Sequence, residues 1–228
     1  MEYDVIVSLT TWKGRINNPK FPKVLFRLLK QQDTSFKYKV VLTLSREEFG
    51  EHYMLPETIE LFTLDPNFEI LWTDKNTKAL KKLDPAMAKY PDAPIITLDD
   101  DDFIARWAID AMMQAHKEHP KAILGTMCGA AFPPVIRVAG LRLFPPNSLA
   151  NLPDEYFASY FDNLLDDEWN GIRAMVKGTE SLKVVAKGII ENTAYFGREC
   201  ALFKTYRMFK FIPAYNKFKK EHPEFNLK

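Results

Sequence analysis

The sequence contains little cysteine and no excess of charge of either sign. Its two cysteines, Cys128 and Cys200, can form neither a disulfide framework nor a zinc cluster, which favours a reducing compartment. The formal net charge of +1 lacks the basic excess that a general nucleic-acid-binding protein usually carries. These absences predict a cytoplasmic protein and exclude nucleic acid as its partner.

Long apolar runs are missing as well, and no segment is apolar over the length that crosses a bilayer. The N-terminal letters MEYDVIVSLTTW enter a strand pattern at once and lack the basic segment and apolar core of a signal peptide. No internal repeat or low-complexity linker interrupts the 228 residues, of which 46% are hydrophobic and 27% charged. This composition is typical of a globular protein, and we expect one sizeable domain.

Short apolar runs alternate with helical patterns in the first half of the chain. The runs span residues 3–9, 38–44, 68–72 and 93–98. Helical patterns follow the first three, in PKVLFRLLKQQ, in SREE and in KALKKLDPAMAKY, where Pro85 is expected to bend or restart the helix. Ser45 and Glu48 have the spacing of a capping box. The alternation predicts an α/β fold with a mostly parallel central sheet flanked by helices.

The second half has a looser pattern. A helical stripe is formed by Ile104, Trp107, Ala108, Ala111, Met112 and Ala115. Residues 122–128 and 181–188 are predicted to be strands, whereas the proline-rich residues 130–148 are predicted to form an irregular, partly stranded insertion. A further helix is expected from Asp166 to a C-cap at Gly178.

Polar side chains follow each of the first four runs. The first run is followed by Thr10, Thr11, Lys13 and Arg15, the second by Ser45 and Arg46, the third by Thr73, Asp74, Lys75 and Lys78, and the fourth by four aspartates. Ligands of open α/β sheets bind at the carboxyl ends of the strands. The sequence therefore predicts one sheet edge rich in hydroxyls, cations and carboxylates, which would suit a phosphorylated ligand and a divalent metal.

The aspartates Asp99 to Asp102 stand directly after a buried strand in IITLDDDDF. A helix N-terminus explains one or two acids, but adjacent carboxylates repel one another unless a cation lies among them. Mg²⁺ and Mn²⁺ prefer such oxygen ligands and often bridge to phosphates. On an extended backbone, Asp99 and Asp101 would point to one side and Asp100 to the other, so that one alternate pair can share an ion. A metal site is predicted, with helix capping as the alternative.

The run IITLDDDDF resembles the DxD or DDD motif of glycosyltransferases with the GT-A fold. The wider pattern VSLTTWKGRI, VVLTLSREEF and LWTDKNTKALKKLDPAMAKYPDAPIITLDDDD is similar to bacterial sugar transferases that build surface polysaccharide or lipopolysaccharide, over about residues 4–105. The resemblance implies a single GT-A-like, Rossmann-like domain. Residues 1–105 would bind the nucleotide-sugar, residues 106–200 would form the acceptor-binding and catalytic half, and residues 201–228 would be a basic aromatic extension.

The resemblance also implies a metal-dependent enzyme that transfers a hexosyl or related group from a nucleotide-diphosphate sugar, with a UDP-sugar favoured, to a saccharide or lipid-linked acceptor. The residues that would contact the nucleotide or its phosphates are Thr10, Thr11, Arg15, Asp74, Lys78, Lys82, Asp99 and Asp100. Lys78 and Lys82 are four apart on one face of the predicted helix, although exposure to solvent is the commoner fate of lysine. Asp101 and Asp99 would bind Mn²⁺ or Mg²⁺. Asp102 replaces the usual apolar residue, which leaves the register open by one position.

A second acidic cluster, LLDDEWNGIRAM, contains Asp166 and Asp167. Inverting GT-A enzymes usually place a catalytic acid near the start of a late helix, so the resemblance implies Asp167 as the base, with Asp166 as the alternative. A helix N-terminus with acids in its first turn explains the same letters without catalysis. Trp169 is predicted to be a core residue rather than a sugar platform.

The C-terminal segment interleaves basic and aromatic residues from Phe203 to Lys220. Such a segment can lie on the anionic inner face of a membrane or pack on the domain with its lysines in water. Two other functions remain open on sequence alone. One is a phosphatase or other phosphoryl-transfer enzyme with strand-end aspartates, and the other is a non-catalytic module that binds a divalent cation. The first strand ends in SLTTW without an aspartate, which argues against a phosphatase of the haloacid dehalogenase type.

Overall fold

Seven strands form the central sheet of the protein in a computed structural model that describes residues 2–132, 135–161, 166–184, 186–193 and 208–227. The strands of this sheet are β1 (Val5–Thr10), β2 (Tyr38–Ser45), β3 (Phe68–Thr73), β4 (Ile95–Thr97), β6 (Ile123–Phe132), β7 (Val135–Phe144) and β8 (Ser181–Lys183). Two short strands, β5 (Asp102–Ile104) and β9 (Ile190–Thr193), pair antiparallel in a separate small sheet.

The central sheet has the strand order β3-β2-β1-β4-β7-β6-β8. Strands β3, β2, β1 and β4 pair in parallel, and β6 pairs in parallel with β8. Strand β7 lies antiparallel between β4 and β6, with Arg142 opposite Thr97 and Gly125. The mostly parallel sheet agrees with the prediction, but residues 135–144 are a full central strand rather than an irregular insertion. The strand ends at Phe144, before Pro145 and Pro146, so these prolines do not interrupt its ladder.

Eight α-helices accompany the strands in the described part of the chain: α1 (Phe21–Lys30), α2 (Arg46–Phe49), α3 (Glu57–Glu60), α4 (Asp84–Lys89), α5 (Ala108–Glu118), α6 (Asp154–Phe161), α7 (Asp166–Lys177) and α8 (Met208–Glu221). Alternation along β1 sends Val5, Val7 and Leu9 into the larger apolar cluster and Ile6 into a second cluster on the other face. Burial on both faces explains why the strand reads as a continuous apolar run.

Three local predictions were wrong for identifiable reasons. Ser45 precedes α2, but its hydroxyl makes no capping bond and is buried without a partner. Ile104 belongs to β5, so the helix of the apolar stripe begins only at Ala108. Residues Lys78–Lys82 form a 3₁₀ helix with about three residues per turn, so the two lysines at its ends do not share a face. The expected restart at Pro85 is confirmed, since proline lies in the first turn of α4.

The late helix and the C-terminal helix enclose an aromatic cluster. Helix α7 spans Asp166–Lys177, and Gly178, the predicted C-cap, follows it with a φ of +77°, the left-handed conformation of a helix C-cap. Trp169 is buried, which confirms its predicted place in the core. Phe211 and Phe218 of α8 are fully buried in the same cluster. These two rings are therefore not available for insertion into a membrane, while Lys217, Lys219 and Lys220 are exposed.

None of the helices in the described ranges is both long and apolar enough to span a bilayer. The part of the basic aromatic segment before Met208, including Lys204 and Arg207, lies outside the described residues.

Candidate active site

The loop after β1 binds the aspartate run that follows β4. The Thr11 hydroxyl donates a hydrogen bond of 2.6 Å to Oδ2 of Asp100, and Arg15 Nη1 pairs with Oδ1 of the same carboxylate. Arg15 Nη1 also lies 3.4 Å from Oδ2 of Asp101. Burial raises the pKa of Asp100 although Arg15 and Thr11 oppose the shift. The structure thus brings these predicted residues together at the carboxyl ends of adjacent parallel strands.

The aspartates do not alternate as on an extended backbone. The Asp102 N–H donates to the Asp99 carbonyl at 3.2 Å, which closes a turn. Asp100 and Asp101, which would face opposite sides of an extended strand, both approach Arg15 Nη1, whereas Asp99 contacts Lys82. The alternation expected from the sequence is wrong because the strand ends at Thr97.

Two buried cations connect Asp99 to the second acidic cluster. Lys82 Nζ lies 2.5 Å from Asp99 Oδ1 and 3.1 Å from Asp166 Oδ2. Arg142 Nη1 lies 2.7 Å from Asp166 Oδ2 and also pairs with Asp167 Oδ1, and its Nη2 lies 3.8 Å from Asp99 Oδ1. Residues far apart in sequence therefore form one charged network across β4, β7, α7 and the 3₁₀ helix before α4.

The electrostatics of this network follow from burial and pairing. Burial and Arg142 lower the pKa of Lys82, but the carboxylates of Asp166 and Asp99 outweigh both and raise it. Partial exclusion of water would raise the pKa of Asp99, yet Lys82 and Arg142 lower it below its usual range. Burial raises the pKa of Asp167 despite its pairing with Arg142. Both cations therefore stay charged, and Asp167 holds a proton more readily than an ordinary carboxylate.

The surroundings of the Asp101 and Asp102 carboxylates indicate whether a divalent ion fits this site. Burial, reinforced by neighbouring carboxylates, raises the pKa of Asp101 to about 6 and that of Asp102 to about 7. Asp102 is 9% exposed and has no hydrogen bond or ion pair to its carboxylate among the described residues. Mg²⁺ and Mn²⁺ prefer carboxylate oxygens as ligands. The negative charge of Asp101 and Asp102 is not fully balanced by neighbouring cations, so these residues fit such an ion.

The described ranges contain no group of three or more acidic, His or Cys side chains arranged to hold a metal by themselves. An ion at this edge would therefore take one or two carboxylates and complete its shell with water and substrate phosphates, as Mg²⁺ usually does.

Three predicted residues lie outside these contacts. The Thr10 hydroxyl donates to the Thr43 carbonyl at 2.7 Å, within the sheet. Asp74 is exposed, and its backbone carbonyl accepts from the Glu47 N–H at 3.0 Å. Lys78 is exposed and has a φ of +54°. Thr10 and Asp74 are thus at or next to the predicted strand ends, outside the charged network of the described residues.

Two buried cations were missed by sequence reasoning. Arg142 lies in the segment predicted to be irregular and partly stranded, and Lys81 lies in the predicted helix KALKKLDPAMAKY, where no role was predicted for it. Lys81 is 2% exposed, and its Nζ contacts Glu48 at 2.9 Å and Asn76 at 2.7 Å. The one signal for Arg142 was a charged residue inside the apolar letters VAGLRLF, because a charge is rarely buried without a partner.

Comparison with solved structures identifies the fold. A mannosyltransferase, PcManGT from Pyrobaculum calidifontis in complex with GDP-Man and Mn²⁺, is 14% identical with a TM-score of 0.51, over 81% of this chain and 55% of that one. S. aureus TarS 1-349 with UDP is 13% identical with a TM-score of 0.52, over 81% and 58% of the two chains. A further crystal structure of S. aureus TarS 1-349 is 11% identical with a TM-score of 0.52, over 96% of this chain and 74% of that one.

These similarities establish a shared fold, which confirms the GT-A-like architecture predicted from the sequence. The chain spans 55% of the mannosyltransferase and 58% of the UDP-bound TarS chain. No protein family model matches the sequence, and no curated protein matches it either.

Proposed function

We propose that the protein is a metal-dependent glycosyltransferase that moves a sugar from a nucleotide-diphosphate sugar to a hydroxyl acceptor. The observation that carries the proposal is the approach of the two acidic clusters: Lys82 bridges Asp99 and Asp166 within 3.1 Å. A transferase needs a donor site and an acceptor base on either side of one reacting carbon, and the two clusters are placed to supply them. The fold shared with enzymes that bind GDP-Man and UDP supports this proposal.

The donor side is formed by the loop after β1 and the aspartate run. Thr11 and Arg15 hold Asp100 in place, so this loop and Asp100 would bind the ribose and base, together with Thr10 and Asp74 at the neighbouring strand ends. Arg15 and Lys82 would balance the charge of the diphosphate. Asp101, with Asp99 or Asp102 as its partner, would hold Mn²⁺ or Mg²⁺, which when bound stabilises the negative charge on the leaving diphosphate. Lys78, which is exposed, would make a peripheral contact to the nucleotide.

The acceptor side is formed by the first turn of α7. A carboxylate there would accept the proton of the acceptor hydroxyl while the oxygen forms its bond to C1 of the sugar. The bond between C1 and the diphosphate oxygen breaks in the same displacement, and the nucleoside diphosphate leaves with the bonding electrons. This single displacement inverts the anomeric centre. Asp167 is the proposed base because one cation contacts it, whereas Asp166 is shared between two.

The biological setting of the proposal follows the sequence resemblance. The acceptor would be a saccharide or lipid-linked intermediate of bacterial polysaccharide or lipopolysaccharide synthesis, and the donor a UDP-sugar. Peripheral contact with the inner membrane face would use the exposed Lys217, Lys219 and Lys220 of α8, since the neighbouring rings are buried. Co-sedimentation with anionic vesicles tests this contact, and a triple Lys→Gln variant that binds as well as the natural chain would refute it.

Calorimetry with UDP and GDP, each with and without Mn²⁺, tests the function directly. Nucleotide binding that requires Mn²⁺, with tighter binding of UDP, is the expected result. Phosphate release from simple phosphoesters without nucleotide affinity would instead indicate a phosphoryl-transfer enzyme. Uptake of Mn²⁺ without nucleotide binding would indicate a cation-binding module.

A further inference from the structure

Arg142 is a buried cation in the middle of the central sheet. The residue is 1% exposed, and its guanidinium group contacts the acids at the start of α7. We propose that Arg142 is the positioning residue of the acid pair Asp166 and Asp167. The proposal rests on the glycosyltransferase function proposed above, in which one member of this pair is the base.

The contacts assign different tasks to the two acids. A single nitrogen, Arg142 Nη1, reaches Asp166 Oδ2 at 2.7 Å and also pairs with Asp167 Oδ1. Asp166 Oδ2 accepts a second contact from Lys82 Nζ at 3.1 Å, so this carboxylate is fixed from two sides. Among the described residues, no hydrogen bond or ion pair reaches Asp167 Oδ2, so this oxygen would be left for a proton of the acceptor. Asp166 anchors the start of α7, and Asp167 is oriented by its one bound oxygen.

The position of Arg142 in the sheet makes it a rigid support. Strand β7 is hydrogen-bonded to β4 and β6, so its backbone is held on both sides at Thr97 and Gly125. A planar guanidinium group presents several N–H donors in fixed directions, whereas a lysine ammonium is one point charge on a flexible stem. Misplacement of a reacting group by about 1 Å can cost about a hundredfold in rate. An arginine on this strand is therefore suited to fix the two carboxylates.

The alternative to a positioning role is a purely structural one, because a buried ion pair that loses one partner destabilises the fold. Arg173 provides the matched control. It lies on α7 itself, its Nη1 is 2.5 Å from Asp84 Oδ1, and its Nε donates to the Ala150 carbonyl at 3.0 Å. Among the described residues, Arg173 contacts neither Asp166 nor Asp167, so its loss removes a partly buried ion pair without touching the acid pair.

The test compares Arg142→Met, Arg142→Lys and Arg173→Met in the full chain. For each variant the folded fraction is measured by urea unfolding, the UDP affinity by calorimetry with Mn²⁺, and kcat and KM by release of UDP from a UDP-sugar. Arg142→Met is expected to lower kcat per folded molecule about a hundredfold and to change UDP affinity less than about threefold. Arg142→Lys should restore part of kcat. Arg173→Met should lose stability while kcat per folded molecule stays within about threefold.

An unchanged kcat in folded Arg142→Met would overturn the proposal, and so would equal losses in the Arg142 and Arg173 variants. If Arg142→Met does not fold, carboxyl ¹³C NMR of Arg142→Lys decides the matter. The carboxyl signals of Asp166 and Asp167 should shift from those of the natural chain while that of Asp100 stays, and unshifted signals would refute the positioning role. A natural chain that binds no nucleotide would refute the proposed function instead, and the NMR comparison would still report on the contact.

Discussion

The hydroxyl of Thr11 donates a 2.6 Å hydrogen bond to Oδ2 of Asp100 across 89 residues of sequence. Asp100 is 5% exposed, so its carboxylate depends on protein partners rather than on water. The bond joins the loop after β1 to the turn after β4, at the sheet edge where these two parallel strands end. A bond in this place affects both stability and the shape of the proposed donor site.

Replacement of Thr11 by valine should therefore destabilise the fold. Valine keeps the shape of the side chain but removes the donor, so a buried carboxylate oxygen loses a partner at a cost of about 1–3 kcal/mol. Urea unfolding measures the change. Thr63→Val is the control, because the Thr63 hydroxyl bonds an exposed carbonyl of Glu60 and its loss should change stability by less than about 0.5 kcal/mol. Equal changes in the two variants would contradict the importance of the Thr11 bond.

The parallel half of the fold was predictable because its strands have simple patterns. Strands β1 and β2 are buried on both faces and read as continuous β-branched runs, and the helix between them has its apolar residues at helical spacing. Strand β7 was missed because Arg142 and Arg137 interrupt its apolar letters and prolines follow its end. The position of Arg142 makes sense only when its partners Asp166 and Asp167 are known.

The site was predictable to the level of its residue types but not of its pairings. The rule that strand ends collect ligand-binding residues placed Thr11, Arg15 and the aspartates at one edge. The same rule says nothing about a lysine buried by a 3₁₀ turn, because periodicity alone cannot distinguish Lys78–Lys82 from an exposed α-helix. Which cation meets which carboxylate depends on tertiary packing across β7 and α7.

Lys82 and Lys78 provide a direct test of the difference between a buried and an exposed lysine of the 3₁₀ helix. Lys82→Met removes one of the two cations that contact Asp99 and the buried Asp166, and breaking the buried ion pair with Asp166 should cost about 3 kcal/mol or more. Lys78→Met changes an exposed side chain, where even an ion pair contributes little, and should alter stability by less than about 1 kcal/mol. Urea unfolding compares the two, and calorimetry should show weaker UDP binding in Lys82→Met at equal folded fraction. A larger loss in Lys78→Met would show that the assignment of the two lysines is reversed.

Asp101→Asn should abolish the Mn²⁺ dependence of nucleotide binding and leave the fold intact. The amide keeps the size of the carboxylate but removes its charge, and Mn²⁺ depends on charged oxygen ligands. Calorimetry should give the same weak UDP affinity in this variant with Mn²⁺ as in the natural chain with EDTA. Asp92→Asn, at an exposed residue before β4, controls for the general loss of one negative charge. Undiminished affinity in Asp101→Asn with Mn²⁺ would remove Asp101 from the proposed metal site.

Phe218→Ala should show that the C-terminal helix is part of the fold. Phe218 is fully buried, with its ring centroid 5.5 Å from that of Phe161 and 5.7 Å from that of Phe225. The cavity left by alanine should cost about 3–5 kcal/mol. Phe26 is 48% exposed, so Phe26→Ala should cost less than about 1 kcal/mol in the same urea experiment. A loss of stability in Phe218→Ala as small as that expected for Phe26→Ala would mean that α8 contributes little to stability.

Variants of the two acids of α7 should differ, because one should lose turnover and the other should lose stability. Asp167→Asn removes the proposed base and should lower kcat by at least about a hundredfold, the usual contribution of general base catalysis, with UDP affinity unchanged. Asp166→Asn removes the carboxylate that Lys82 and Arg142 share, so its main effect should be a loss of stability in urea unfolding. Both variants are compared at equal folded fraction with the same UDP-sugar. Normal turnover in Asp167→Asn together with collapsed turnover in Asp166→Asn would move the role of base to Asp166.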